Sequence, residues 1–276
     1  MKKIFILCLL AILTFGFSIP VLAESQIVDE TMINNQADSL TPAQIEQLNK
    51  EEAKKYQQVL KYIEQQAKNL KAQTSITPQW TYPVSKILNV PYHKQLYSTW
   101  CGPASALQII DYNGKYSSVS GSTEYQKQQT LADQIGTNDN GSNTVNIRNV
   151  LNNYLSSIHS WTVKRIDSSS GAYDTLWNII DYNIFNAKQP VLLLVQTKYL
   201  PYYNGHVSQH YVVVDALTKY IDDGTGQPVK SISTVRIVDP NPNSSYTGYH
   251  TVTFNDLYNA AIGYFDSGSQ YYNVCY

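Results

Sequence analysis

The sequence predicts an α+β fold with a long helix in front of it. Three observations carry this. One extended helical stripe lies between residues 41 and 72. Shorter stretches with helical spacing fill most of 101–187. Apolar runs of strand length then dominate 191–254, two of them divided by the turn Asp222-Asp223-Gly224-Thr225-Gly226. Helices followed by strands is the α+β pattern, with the later strands forming an antiparallel sheet.

The first 23 residues read as a secretory signal peptide. Lys2 and Lys3 give a positive start, Ile4 to Phe17 is almost wholly apolar, and Pro20 breaks the run. Val21-Leu22-Ala23 then offers small residues for cleavage before Glu24. A retained anchor is the alternative, but Gly16, Ser18 and Pro20 keep the apolar run below the ~20 residues of a spanning helix. Cys8 lacks the preceding small residues of a lipidated cysteine. The expected product is secreted.

Residues 24–40 show no period and read as a flexible leader. At Thr41-Pro42-Ala43-Gln44 a capping box opens a helix: Thr41 caps, Pro42 fits the first turn and Gln44 reaches back. Ile45, Leu48, Tyr56, Leu60, Ile63, Ala67 and Leu70 recur at helical steps, with one gap filled by Glu52 or Ala53. The helix, about 30 residues long, ends before Thr77-Pro78 and is read as a stalk, a brace or a pro-segment. The predicted domains are therefore 1–23, 24–79 and a catalytic unit, 80–276.

Within that unit, helices are expected from Cys101 to Asn113, Gln126 to Ile135, Asn146 to Leu155 and Tyr173 to Ala187. Strands are expected at Trp161–Ile166, Val191–Gln196, His210–Leu217, Thr234–Val238 and Thr251–Phe254, with a last helix near Leu257–Ile262. Charged residues make up only 15% of the chain, and 20 basic residues face 21 acidic ones without a run of either sign. That balance argues against a nucleic acid or a charged membrane surface as partner. No phosphate loop of the form Gly-x-x-x-x-Gly-Lys-Ser/Thr and no zinc spacing occur. Asn138-Asp139-Asn140-Gly141 reads as a turn because the terminal glutamate of a calcium loop is missing. No cofactor or metal is called for.

Signal cleavage removes Cys8 and leaves Cys101 and Cys275. Two cysteines are no disulfide scaffold, so either they pair or one is a working thiol. Pro103 suits the first turn of a helix, which places Cys101 at the N-terminus, where uncapped N–H groups favour a negative sulfur. Gly102 is expected to let a substrate backbone come close. Gln95, six residues upstream, can aim its amide at the same point as the Cys101 N–H, making an oxyanion hole for acyl transfer.

This arrangement resembles the papain-like cysteine peptidases, and within them the bacterial family related to peptidases that trim double-glycine leaders from bacteriocins. The resemblance rests on Val90-Pro91-Tyr92-His93-Lys94-Gln95, Cys101-Gly102-Pro103-Ala104, His210-Tyr211-Val212-Val213-Val214 and Asp239-Pro240, in that order. It spans about residues 88–265 and implies a papain-like fold with a Cys101, His210, Asp239 triad, Gln95 at the oxyanion, and a peptide or protein substrate. His210 opens a buried strand, whereas its rival His206 lies among loop residues. Asp239 ends a strand before a stiff Pro240-Asn241-Pro242 turn. The rival Asp215, five residues beyond His210 on one strand, should face the other way, and Asn241 reads as a turn residue. Two other activities share the pattern: a silent binding module on the same fold, and a related amidase or transpeptidase.

Overall fold

The computed structural model describes residues 40–71, 80–266 and 270–276. The segment read as a signal peptide, and nearly all of the leader behind it, lie outside the described residues.

The long helix forms as the pattern requires. α1 spans Pro42–Lys71, and at its start Gln44 Oε1 accepts from the Thr41 N–H at 2.8 Å while Thr41 Oγ1 accepts from the Gln44 N–H at 3.3 Å. Its buried face differs from the apolar stripe alone. Leu48, Glu52, Lys55 and Val59 are the buried residues, and Ala53 is exposed, so Glu52 fills the gap. Two ionisable side chains are buried on this face, and each meets polar partners. Glu52 pairs with Lys164 at 3.0 Å and accepts the Tyr276 hydroxyl at 3.0 Å. Lys55 donates to the carbonyls of Ser160 and Tyr276 at 2.5 and 2.6 Å. Glu51 pairs with Arg148, and Tyr272 donates to Asn49 at 3.0 Å. α1 is thus docked from Leu48 to Val59.

In the main unit, α2 (Cys101–Tyr112), α3 (Glu124–Ile135) and α4 (Thr144–Leu155) pack together against the sheet. α3 begins two residues before the expected start, with a Thr123–Gln126 capping box, and ends at Gly136, whose φ is +73°. The expected helix over Tyr173–Ala187 is two elements. α5 covers Ala172–Asp181 and a wider π-helical turn continues to Ala187. α6 (Phe254–Gly263) starts on a Thr253–Asp256 capping box.

The sheet is antiparallel throughout. β2 (Val163–Lys164), β7 (Val274–Cys275), β3 (Val191–Gln196), β4 (Gln209–Asp222), β5 (Thr234–Asp239) and β6 (Gly248–Thr253) lie side by side in that order. The strand expected over Trp161–Ile166 shrinks to β2. Two strands had no forecast: β7, and β1 (Thr81–Ile87). β4 is long enough to carry two partners on one edge, β3 along 209–214 and β1 along 216–222. Between these stretches the β4–β5 register shifts at a bulge around Asp215. Arg236 clasps the Asp215 carboxylate at 2.8 and 2.5 Å, and the Val90 N–H donates to it at 3.1 Å. Among the described residues no helix is long and apolar enough to cross a membrane.

Candidate active site

Three segments meet where α2 begins and where β4 starts beside the end of β5. Cys101 is the first residue of α2, and among the described residues no side chain caps this helix. The remaining helix is held tightly: Cys101 through Ile110 are all buried, and Ser105 donates to the Tyr211 carbonyl on β4 at 3.3 Å. The position of Cys101 is therefore fixed to the strand that carries His210.

His210 Nε2 lies 2.7 Å from Asp239 Oδ1, and the Cys101 sulfur is close enough to the ring to raise its pKa. With Nε2 taken by Asp239, Nδ1 is the nitrogen left for sulfur. All three side chains are buried, with Cys101 and Asp239 at 0% exposure and His210 at 2%. Burial by itself lowers the imidazole pKa, but the Asp239 carboxylate and the Cys101 sulfur outweigh it and hold the value well above normal.

Asp239 is held by four donors. Its Oδ1 accepts from His210 and from the Asn241 N–H at 2.8 Å. Its Oδ2 accepts from the hydroxyls of Tyr202 at 2.9 Å and Tyr203 at 3.0 Å. Those tyrosines come from a short 3-10 turn, Pro201–Tyr203. They escaped the sequence reading, since a Tyr-Tyr pair in a chain with 23 tyrosines carries no pattern. Asn241 is a turn residue that also contributes, because its Nδ2 donates to Tyr203 Oη at 3.1 Å.

Gln95 sits at the site's edge, 3% exposed. Its backbone N–H donates to the Pro240 carbonyl at 2.8 Å. Its Nε2 donates to the carbonyls of Tyr97 at 3.1 Å and Ser98 at 3.0 Å, and its Oε1 is buried without a hydrogen-bond partner. The loop around it is bolted to two helices. His93 bridges Asp111 on α2 at 2.9 Å and Glu124 on α3 at 2.7 Å, and Gln128 donates to the Lys94 carbonyl at 2.7 Å.

The rival residues have other partners. His206 stands beside the Tyr246 ring at 5.9 Å, and Asp215 is bound to Arg236. Cys101 and Cys275 are both free. Gly102 is required for a reason other than substrate approach. A Cβ there would stand 2.3 Å from Ser142 Oγ and 2.6 Å from its Cβ, so glycine lets α2 press against the loop that leads into α4.

A cysteine at a helix N-terminus, facing a histidine and a carboxylate presented by an antiparallel sheet, defines the class of papain-like cysteine peptidases. The Peptidase_C39 like family matches residues 87–270, and the chain belongs to that family of cysteine peptidases. No curated protein matches the chain. The solved structures similar to it include these two. One is a double glycine motif protease from an AMS/PCAT transporter in complex with the leader peptide, 17% identical, covering 72% of this chain and 96% of that one, with a TM-score of 0.38. The other is the peptidase domain of Streptococcus ComA, a bi-functional ABC transporter involved in a quorum sensing pathway, 16% identical, covering 68% and 97%, with a TM-score of 0.39.

Proposed function

We propose that the protein is a secreted cysteine peptidase that hydrolyses peptide bonds with Cys101 as nucleophile, His210 as acid and base, Asp239 as orienter and Gln95 as oxyanion donor. The observation that carries this is the buried His210–Asp239 hydrogen bond of 2.7 Å with the Cys101 sulfur beside the ring. Sulfur attacks the substrate carbonyl carbon, and the oxygen's negative charge is met by the Cys101 N–H and the Gln95 amide. His210 gives its proton to the leaving nitrogen as the C–N bond breaks. The neutral ring then takes a proton from water, which attacks the thioester, releases the acid and restores the thiol. In the resting arrangement both Gln95 amide hydrogens are engaged, so service at the oxyanion means releasing Tyr97 or Ser98. The buried sulfur likewise needs its neighbours to give way before a substrate reaches it. Secretion rests on the signal pattern of residues 1–23.

The test is labelling of the purified protein by a thiol-directed inhibitor, followed by incubation with a mixed peptide pool and mass spectrometry. Cleavage that is lost on labelling and in Cys101→Ala supports the reading. A protein that labels at Cys101 but cuts no peptide, and instead releases ammonia from amides or joins amines, is an amidase or transpeptidase. No labelling at all leaves a binding module. The intact mass of exported material should begin at Glu24, and an unprocessed N-terminus refutes the secreted form.

A further inference from the structure

The carboxylate of Asp239 is fully buried, and an ionised group is tolerated there only if its lone pairs are met. Its two oxygens divide the work. Oδ1 accepts from His210 and the Asn241 N–H, and Oδ2 accepts from the Tyr202 and Tyr203 hydroxyls at 2.9 and 3.0 Å. Each tyrosine is itself fixed by a ring stack, Tyr202 on His250 at 3.7 Å with planes 4° apart, and Tyr203 on Tyr246 at 4.3 Å. His250 Nε2 in turn donates to the Tyr246 carbonyl at 2.7 Å. Such a clamp leaves the carboxylate one orientation.

Building on the peptidase reading above, we propose that Tyr202 and Tyr203 are positioning residues of this site, which lock Asp239 through Oδ2 and set how tightly the Asp239–His210 pair keeps its proton. Hydroxyl donors stabilise the negative carboxylate most when the pair has lost its proton, because the imidazolium no longer offsets the charge. Removing a donor therefore makes the pair hold its proton more firmly and makes His210 a weaker acid toward the leaving amine. Among the described residues, other titratable groups around the pair include Cys101 from α2, Tyr92 from the loop before α2, His250 from β6 behind Tyr202, Tyr246 stacked on Tyr203, and His206 beside Tyr246.

The experiment is the pH dependence of Cys101 alkylation by iodoacetamide in the full chain, for the parent, Tyr202→Phe, Tyr203→Phe and Tyr246→Phe. The alkaline inflection reports loss of the imidazolium proton. It is expected to rise by about half a unit to one unit in Tyr202→Phe and Tyr203→Phe, the scale of one weakened charge-assisted bond. Tyr246→Phe, which alters a stacked ring without touching Asp239, should leave it in place. If Tyr203→Phe does not fold, Tyr202→Phe decides alone. An unmoved or lowered inflection in a folded Tyr202→Phe protein overturns the proposal, as does an equal shift in Tyr246→Phe. A parent whose Cys101 shows no pH-dependent alkylation overturns the peptidase reading instead.

Discussion

The backbone N–H of Gln95 donates to the carbonyl of Pro240 at 2.8 Å, which ties the Gln95 loop to the turn that follows Asp239. Two loops far apart in sequence are therefore held in one register. The bond uses only main-chain atoms of Gln95, so its side chain can be changed without dissolving the link.

Gln95→Ala should therefore leave the fold and Cys101 alkylation intact while turnover drops on the order of 10²–10³, the loss seen when an oxyanion donor is removed. Steady-state kinetics on any cleaved peptide check this. A loss confined to KM, with kcat unchanged, would assign Gln95 to binding alone.

The two cysteines should behave in opposite ways. Cys275 is buried and its thiol is pushed up to about 12 by that burial, against the opposing pull of Lys55 and Arg148, so native protein should alkylate at Cys101 and spare Cys275. Cys101→Ala and His210→Ala should each abolish turnover. Asp239→Ala should keep a measurable remnant, because orientation is only part of the chemistry and such effects do not add. His210→Ala should also slow alkylation at neutral pH, and a slowing seen in His206→Ala instead would reassign the base.

Lys55 makes the docking of α1 dependent on pH. Burial lowers its pKa from 10.5 to about 7, with Cys275 opposing and Arg148 adding to the shift. In the unfolded chain the amine stays protonated to about 10.4. Between these values the unfolded state binds more protons, so this group's contribution to stability rises with pH and is lost as pH falls through the folded value. Lys55→Met lacks that slope. Denaturant titrations of both proteins should show the parent gaining on the variant from pH 7 to pH 10, and a constant difference would contradict the charge assignment.

Gly102→Ala should cost roughly 1–3 kcal/mol, the usual price of overpacking, because the new methyl meets Ser142. Adding Ser142→Gly should return part of that loss, less the Ser142–Thr137 hydrogen bond of 2.8 Å. Thermal melts of the single and double variants check it. If the second change recovers nothing, the contact with Ser142 is not the cause.

Much of this site was legible because its members stand at element boundaries that local pattern marks. Pro103 fixed the start of α2, the apolar run after His210 marked β4, and Pro240 marked the end of β5. β3 was read to the residue because six consecutive buried positions admit little else. β1 escaped because Pro83 interrupts it and its side chains are largely exposed, so only pairing with β4 makes it a strand. β7 is two residues long and exists through its neighbours β2 and β3. The direction of the Gln95 amide and the gathering of two tyrosines on Asp239 depend on the path of the chain in space, which spacing does not encode. Burial of Lys55 was hidden for the opposite reason: lysine reads as solvent-facing until its partners are placed.

The assembly of the site from separated segments has a consequence for the chain before it folds. Cys101 gains its histidine only when α2 is laid against β4, and the histidine gains its carboxylate only when β4 and β5 pair. Contacts of that range form late, since the loops between them must close first. A nascent or unfolded chain thus carries an ordinary thiol, without an imidazole to activate it. On the proposed mechanism, reactivity arrives with the tertiary structure, and the polypeptide is chemically quiet toward its surroundings until the sheet is complete.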